Sequence, residues 1–298
     1  MKRFALCPSL AVLVCLAGSA FAQDTTYTFT TVNFSGDTFT QLLGINNSKE
    51  IAGYHGSGAT GHPNKGFTLV LPSTFTNENF PGSVQTQVIA INNHSPGVKT
   101  AGFYIDTAMV THGFTDFGGT FTTYDFPGTT FNQLLGLNDV GQDAGYYMDT
   151  AGNFHGYIID GGAVYLVLTI PNVATAQMTG INNKGELSGF YIDMSGVTHG
   201  FFVNGISQFV TLNYPMATAT SANGLNNSGQ VVGSYTDTAG LVHGFVYQTT
   251  SATFQTVDDP SGVGATIING INDHGWIVGF YGACATGGLT CNGFYAVP

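Results

Sequence analysis

Four aspartate–histidine pairs have residue types and a spacing suited to acid–base chemistry. In each pair the histidine follows the aspartate by six residues: Asp106 and His112, Asp149 and His155, Asp193 and His199, Asp237 and His243. A carboxylate can orient an imidazole as a general base, and both groups can bind metals. An active site copied four times in one chain would be unusual, however. We therefore predict that each pair is a structural hydrogen bond across a turn and that it binds no metal.

The residues that break this pattern are better candidates for a ligand site. Lys65 stands where the histidine is repeated elsewhere, His55 precedes it, and His62 lies in the longer stretch between them. One lysine beside two histidines makes a local positive spot that suits a carboxylate or sulfate group. We predict a ligand site at His55, His62 and Lys65. The alternative is that the chain tolerates an irregular loop here.

A recurring sequence motif (the repeated phrase) of the type Gly-Ile-Asn-Asn indicates which secondary-structure elements position the candidate residues. Its six copies are 46, 46, 44, 44 and 46 residues apart and begin at Gly44, Ala90, Gly136, Gly180, Gly224 and Gly270. This period equals four short strands with their turns, which is one β-propeller blade. In the fifth copy, strands are predicted at 218–225, 230–236, 242–248 and 253–257, and no segment has a helical period. The sequence predicts an all-β, six-bladed β-propeller of four-stranded blades.

The two ends of the chain predict how the ring closes. The sixth copy has three strands before Pro298 and lacks the segment that forms the fourth strand elsewhere. A matching segment stands at Tyr27–Phe34 instead. We predict that this N-terminal strand completes the last blade, because closure removes exposed sheet edges. Blades 1 and 6 would then be neighbours, and their long loops between the second and third strands would share one face.

Four glutamines occupy equivalent positions of the predicted inner strands: Gln41, Gln87, Gln133 and Gln177. They are predicted either to ring the central channel or to bond to backbone between blades.

The repeat resembles a known family. The run from Gly180-Ile181-Asn182-Asn183-Lys184-Gly185 through His199-Gly200-Phe201 is similar to the HAF-type repeat of bacterial secreted proteins, and the resemblance covers about residues 27–298. The family's His-Ala-Phe reads His-Gly-Phe in this chain. The resemblance implies an extracellular or surface-associated repeat protein. It implies no catalytic residue, because the family has no agreed activity.

The first residues and the charge predict where the protein works. Residues 1–22 read as an export signal, with Lys2 and Arg3 before an apolar run and Ala20-Phe21-Ala22 as the cleavage site. Residues 23–298 form one predicted domain. Losing those two cations changes the net charge of −11 to −13, which argues against nucleic acid as a partner. We expect a secreted monomer, extracellular or periplasmic, without a membrane span.

The cysteines fit this location. Cys284 and Cys291 follow the predicted signal and lie in one predicted hairpin. In an exported protein such a pair predicts a disulfide, and its glycine-rich surroundings supply no further metal ligands.

Two functions remain open from the sequence. The favoured one is a non-catalytic binding or surface-interaction module for a glycan or an extracellular protein, with no cofactor. The alternative is a secreted hydrolase or lyase that acts on a polysaccharide or ester near blades 1 and 6. An enzyme of that kind needs two convergent acid–base groups, and no hydrolase motif of the G-x-S-x-G or H-E-x-x-H type occurs.

Overall fold

The computed structural model describes residues 24–57, 63–93, 97–168, 170, 173–205 and 208–298, so the predicted export signal lies outside the described residues. These residues contain 24 β-strands and one short 3-10 helix. Among them, no helix is long and apolar enough to cross a membrane.

Each blade consists of four strands. Blade 1 contains β2 (Phe39–Ile45), β3 (Glu50–Gly56), β4 (Lys65–Val70) and β5 (Thr74–Asn77); blade 2 contains β6 (Gln85–Ile91), β7 (Lys99–Ile105), β8 (Thr111–Phe117) and β9 (Thr120–Tyr124); blade 3 contains β10 (Asn132–Leu137), β11 (Gln142–Met148), β12 (Phe154–Asp160) and β13 (Ala163–Val167). Blade 4 contains β14 (Val173–Ile181), β15 (Leu187–Asp193), β16 (Thr198–Asn204) and β17 (Gln208–Leu212); blade 5 contains β18 (Ala219–Leu225), β19 (Gln230–Thr236), β20 (Val242–Gln248) and β21 (Thr253–Thr256); blade 6 contains β22 (Thr266–Ile271), β23 (Ile277–Tyr281), β24 (Asn292–Val297) and β1 (Thr28–Val32).

The strand order confirms the predicted closure of the ring. Five sheets contain four consecutive strands, whereas the sixth has the order β1-β24-β23-β22. The N-terminal strand β1 runs antiparallel to β24, with Thr28 opposite Val297 and Val32 opposite Gly293. The protein is therefore a six-bladed β-propeller whose last blade is completed by the N-terminal strand.

Glycine and phenylalanine of the repeat have separate packing roles. A Cβ added at Gly136 of the inner strand would lie 2.7 Å from Cα of Gly180 in the next blade, so this position leaves no room for a side chain. The aromatic residue after the third-strand glycine is fully buried in all six blades: Phe67, Phe114, Tyr157, Phe201, Phe245 and Phe294. Core clusters of buried apolar side chains therefore form between neighbouring blades.

The first asparagine of the repeated phrase joins each blade to the next. Its side-chain nitrogen donates to the backbone oxygen of the equivalent asparagine of the following blade, and the six bonds of 2.9–3.3 Å close a ring: Asn46, Asn92, Asn138, Asn182, Asn226 and Asn272. All six side chains are at most 4% exposed. In Asn226 the side-chain oxygen also accepts from the backbone N–H groups of Ser228 and Gln230. One side chain thus shapes its own turn and binds the next blade.

The second residue of the phrase forms another closed ring. Each of its backbone N–H groups donates to the side-chain oxygen of the equivalent residue of the next blade, at 2.6–2.9 Å: Asn47, Asn93, Asp139, Asn183, Asn227 and Asp273. The repeated Asn-Asn or Asn-Asp is therefore a double belt of hydrogen bonds around the axis.

Replacement of Asn226 with Ala tests this belt. The change leaves the buried backbone oxygen of Asn272 and the turn N–H groups without their partner, so we expect the free energy of unfolding to fall by about 2 kcal/mol or more. Urea unfolding, followed by the fluorescence of Trp276, the single tryptophan, measures the change. Asn204→Ala, at an exposed strand end, is the control and should stay within about 0.5 kcal/mol of the wild type. Equal stability of the two variants would refute the belt.

Candidate functional site

The four aspartate–histidine pairs lie on one face of the ring, in the turns 106–110, 149–153, 193–197 and 237–241 between the second and third strands of blades 2 to 5. We call this the loop face. One oxygen of Asp193 accepts from the backbone N–H groups of Ser195 and Val197 at 2.8 and 2.9 Å. Its other oxygen lies 3.3 Å from Nε2 of His199, and the equivalent distances in the other three blades are 2.8–3.6 Å. The bond from Val197 contributes most to lowering the pKa of Asp193.

The histidine rings are braced from a second side. Each packs on the tyrosine opposite it, with ring centroids 4.9–5.2 Å apart. Nδ1 bonds to Asp125 in His112, to Asn213 in His199 and to Asp258 in His243, at 2.7–2.8 Å. Burial disfavours the charged form of His112, but the carboxylates of Asp125 and Asp106 outweigh it and raise the pKa of that histidine.

Both ring nitrogens of His112 and His199 are hydrogen-bonded within the chain. In His243, Nδ1 is bonded and Nε2 lies 3.6 Å from Asp237. Within the described residues, no group of three metal-ligating side chains occurs. We call this arrangement a braced turn, because the aspartate caps the turn and the histidine is held by the aspartate and the tyrosine. The structural role of the pairs stays a prediction.

The residues predicted to bind a ligand in blade 1 differ in accessibility. His55 is 3% exposed, its Nδ1 bonds to Asp37, and its ring stacks on Phe34 at 3.6 Å. Lys65 faces His55 across the β3–β4 ladder and is exposed, whereas His62 lies outside the described residues. Nε2 of His55 is buried and has no hydrogen-bond partner among the described residues. Lys65 is the accessible member of the described pair, and the ligand site stays a prediction.

Blade 6 lies beside blade 1, as the closure predicted. Cys284 and Cys291 form the predicted disulfide, which clamps a loop containing the 3-10 helix Ala283–Thr286. The backbone N–H of Thr40 in blade 1 donates to the oxygen of Cys291 at 3.2 Å. The clamped loop therefore packs against the first strand of blade 1 at the start of the central channel.

The central channel is a second candidate site. It forms a cavity of about 510 Å³ along the ring axis. The cavity is lined from the loop face inward by Gln41, Gln87, Gln133 and Gln177, then by Leu43, Ile89, Leu135, Thr179, Asn223 and Asn269, and finally by Ile45, Ile91, Leu137, Ile181, Leu225 and Ile271. The last six also line a small cavity of about 70 Å³ bounded by the second belt, so they stand between the two cavities.

Aromatic and amide groups meet at the wider part of this channel. The hydroxyl groups of Tyr54 and Tyr146 donate to Oε1 of Gln41 and Gln133 at 2.6 Å. Burial raises the pKa of both tyrosines, so they remain neutral donors. The glutamines thus line the channel, which was one of the two predicted arrangements.

Blade 5 interrupts this lining. Ser221 stands where four blades have glutamine, and Ser234 stands where blades 1, 2, 3, 4 and 6 have tyrosine or phenylalanine. The wall of the channel is therefore less bulky and more polar at blade 5.

A second cleft, of about 350 Å³, lies between blades 1 and 2 and contains two carboxylates. Glu78 is 9% exposed, and its Oε1 accepts from the hydroxyl of Thr100, which lies opposite Asp116 in the β7–β8 ladder. Burial raises the pKa of Glu78 to about 7. The hydrogen bond from Thr100 opposes this rise, and the charge of Asp116 adds to it. Burial also raises the pKa of Asp116. We did not predict this pair from the sequence.

Neither a protein-family model nor a curated protein matches the chain. Solved structures do match. The fungal lectin of Aleuria aurantia, whose structure is a six-bladed β-propeller with a fucose recognition mode, is 10% identical with a TM-score of 0.52, covering 87% of this chain and 96% of the lectin. TolB from Acinetobacter baumannii is 10% identical with a TM-score of 0.54, covering 82% of this chain and 63% of TolB.

An enzyme has a similar fold. A puromycin-hydrolysing peptidase of Mycobacterium tuberculosis is 9% identical with a TM-score of 0.50, covering 82% of this chain and 49% of the peptidase. At these identities the similarity shows the fold alone. Because the fold occurs in both a lectin and a peptidase, function has to be argued from the site.

Replacement of His199 with Ala tests the braced turn. The loss of two hydrogen bonds and of the packing on Tyr191 should lower the free energy of unfolding by roughly 1 to 2 kcal/mol. Urea unfolding measures it, with the exposed His274→Ala as the control, which should change little. Elemental analysis should find no stoichiometric zinc in either protein. Zinc that is bound by the wild type and lost from His199→Ala would contradict the structural role.

The carboxylate of Glu78 should make stability depend on pH. Its pKa is about 7 in the folded chain against an ordinary 4.5, so the folded state holds the proton more tightly than the unfolded state. The free energy of unfolding should therefore fall as pH rises from 4.5 to 7, by as much as about 3 kcal/mol, and level off above. Urea unfolding between pH 5 and 8 measures this. Glu78→Gln is the control, since it should lose this slope; an identical slope in both proteins would show that Glu78 is not its source.

Proposed function

We propose that this protein is a secreted, non-catalytic binding module that holds a glycan in the central channel from the loop face. The observation that carries the proposal is the channel itself. A volume of about 510 Å³ falls in the range of small-molecule sites, which combine apolar walls with a few convergent polar groups.

The chemistry of the lining suits a polyhydroxylated ligand. A side-chain amide presents both donors and acceptors, which matches a sugar hydroxyl group that is also both. Phe103 and Phe280 line the same cavity and offer apolar ring surface to the carbon-bearing face of a sugar. A ligand that lies off the axis would find most room at Ser221 and Ser234 of blade 5.

The predicted location outside the cytoplasm supports the same class of function. The predicted export signal, the Cys284–Cys291 disulfide and the resemblance to HAF-type repeats are each compatible with work outside the cytoplasm. The Aleuria aurantia lectin, whose fold is similar, recognises fucose. On this proposal the partner is a glycan, an extracellular protein being the other candidate, and the protein acts as a monomer without a cofactor.

The predicted cluster of blade 1 is a separate, peripheral contact in this proposal, because neither His55 nor Lys65 lines the channel cavity. Lys65 is the accessible cation there, and a negatively charged ligand could reach it from the loop face. His55 supports the site from below through Asp37 and Phe34. His62 stays a predicted contact.

The competing hydrolase would use a different part of the molecule. Glycoside hydrolysis needs a pair of carboxyl groups on either side of the scissile bond. The carboxylate pair of Glu78 and Asp116 lies between blades 1 and 2 and not in the channel. A catalytic function would therefore place the reaction away from the cavity that best fits a sugar.

A glycan array with the mature protein, run beside a hydrolase panel, tests the proposal. We expect binding to a subset of glycans without release of product, and a loss of that binding of about tenfold or more in Gln87→Ala/Gln133→Ala, because several ligand hydrogen bonds disappear. Gln208→Ala, exposed at the start of β17, is the matched control and should bind like the wild type.

Two further variants separate the alternatives. Lys65→Ala should weaken binding of sulfated or carboxylated glycans only. If the wild type releases a product and Glu78→Gln does not, the protein is a hydrolase and the proposal is wrong. The proposal is also wrong if no glycan binds in a way that depends on the channel glutamines.

A further inference from the structure

Two of the six interfaces between blades are polar at positions where the other four are apolar. At each interface, one residue of a blade packs near two residues of the next blade. The first residue lies at the end of the fourth strand or directly after it, and the other two lie in the second and third strands. Four interfaces are apolar at these positions: Val32, Ile51 and Leu69; Leu168, Leu187 and Val203; Leu212, Val231 and Tyr247; Val257, Ile277 and Ala296. Between blades 1 and 2 the same three positions are Glu78, Thr100 and Asp116.

This replacement leaves carboxylate oxygens without partners. Oδ1 of Asp116 is buried and makes no hydrogen bond. Glu78 is more than nine-tenths buried and lines the cleft, yet only its Oε1 is bonded within the described residues. In the same part of the chain, no lysine or histidine pairs with either carboxylate. Asp116 is half-buried, and backbone N–H groups of Gly119 and Phe117 bond to its carboxylate. A buried carboxylate beside a half-buried one without a cation is nevertheless costly, since burial penalises the charges and the two repel.

The neighbouring interface shows what satisfies such a carboxylate. Between blades 2 and 3, Asp143 occupies the position equivalent to Thr100 and is 2% exposed. Nζ of Lys99 reaches it from the adjacent blade and lies 3.0 Å from both carboxylate oxygens. The residue equivalent to Lys99 in blade 1 is Glu50, so the interface between blades 1 and 2 has no ammonium group of its own.

We propose that the cleft between blades 1 and 2 binds a small ligand through a primary ammonium group, which Glu78 and Asp116 receive together. An ammonium has three N–H donors and no acceptor, which matches two carboxylates with free oxygens. The rest of the cleft is lined by the polar Thr68 and Thr100, the apolar Val98 and Phe117, and Gly97, Gly118 and Gly119. A ligand with hydroxyl groups on a compact body fits this lining, so the class is an amino sugar.

A metal ion fits the same cleft less well. Calcium takes six to eight oxygen ligands, whereas the side chains here supply two carboxylates and two hydroxyls, and the described residues contain no larger group of metal-ligating side chains. The cleft of about 350 Å³ also exceeds the space that one ion needs. The site is separate from the channel and does not depend on the function proposed for the channel.

Isothermal titration of the mature protein at pH 7 tests the proposal with D-glucosamine as the probe. D-glucose and N-acetyl-D-glucosamine are the matched probes, because they keep the sugar ring and lack the ammonium. We expect glucosamine to bind at least about tenfold more tightly than either, the scale of a lost charge-assisted bond. Binding should weaken at pH 5, where protonation of Glu78 removes one charge of the pair.

Variants locate the site and keep the test decisive. Glu78→Gln and Asp116→Asn should each weaken glucosamine binding by about tenfold or more, while Gln208→Ala at the exposed start of β17 should leave it unchanged. Glu78→Val restores the apolar type found in the other repeats, so it should fold, raise the melting temperature and abolish binding. Equal affinity for glucose and glucosamine, or glucosamine binding that persists in Glu78→Val, overturns the proposal. A third outcome identifies a metal site instead. In that case glucosamine does not bind, and calcium chloride raises the melting temperature of the wild type but not that of Glu78→Val.

Discussion

The buried asparagine that links neighbouring blades is the interaction on which the rest of the structure depends. Each of the six donates to the backbone of the next blade at 2.9–3.3 Å, and the chain of donors returns to its start only when six blades are present. The second belt, from the backbone N–H of one blade to the side-chain oxygen of the next, repeats with the same regularity. Because the belt holds the inner strands at one spacing, it sets the width of the channel, and the apolar interfaces between blades pack around that spacing.

The six repeats separate what the fold requires from what it does not. Features that recur in nearly every blade, such as the aspartate-capped turn and the buried aromatic after the third-strand glycine, are explained by local hydrogen bonding and packing. The departures lie elsewhere: the serines of blade 5 in the channel, the clamped loop of blade 6, and the acidic pair between blades 1 and 2. A polar residue at a position that is apolar in the sister blades lowers stability without serving the fold, which is why such positions carry the functional arguments.

Much of the architecture could be predicted from the sequence, whereas the sites could not. The period of the Gly-Ile-Asn-Asn phrase and the strand at Tyr27–Phe34 were sufficient to predict six blades and their closure, because both depend on local pattern. The burial of His55 depends on Asp37 and Phe34, which precede the first inner strand and fold over it. Glu78 and Asp116 lie 38 residues apart and meet only because two blades pack together. An alignment of the six repeats contains a signal for Glu78, since the other five residues at its position are apolar or aromatic.

The pairing of β1 with β24 has a consequence for the order in which the chain folds. Residues 28–32 are synthesised before every other strand that the structure describes, yet their partners are residues 293–297. Among the described strands, no other pairing spans so much sequence. The entropy of closing so long a loop makes this contact late and slow compared with the hairpins inside each blade. Until then the outer edge of β24 is an open template, and the β1 strand of a second molecule presents the same residues to it. Newly made chains at high concentration can therefore exchange their β1 strands. Ring closure is thus the folding step at which two molecules can form a domain-swapped dimer.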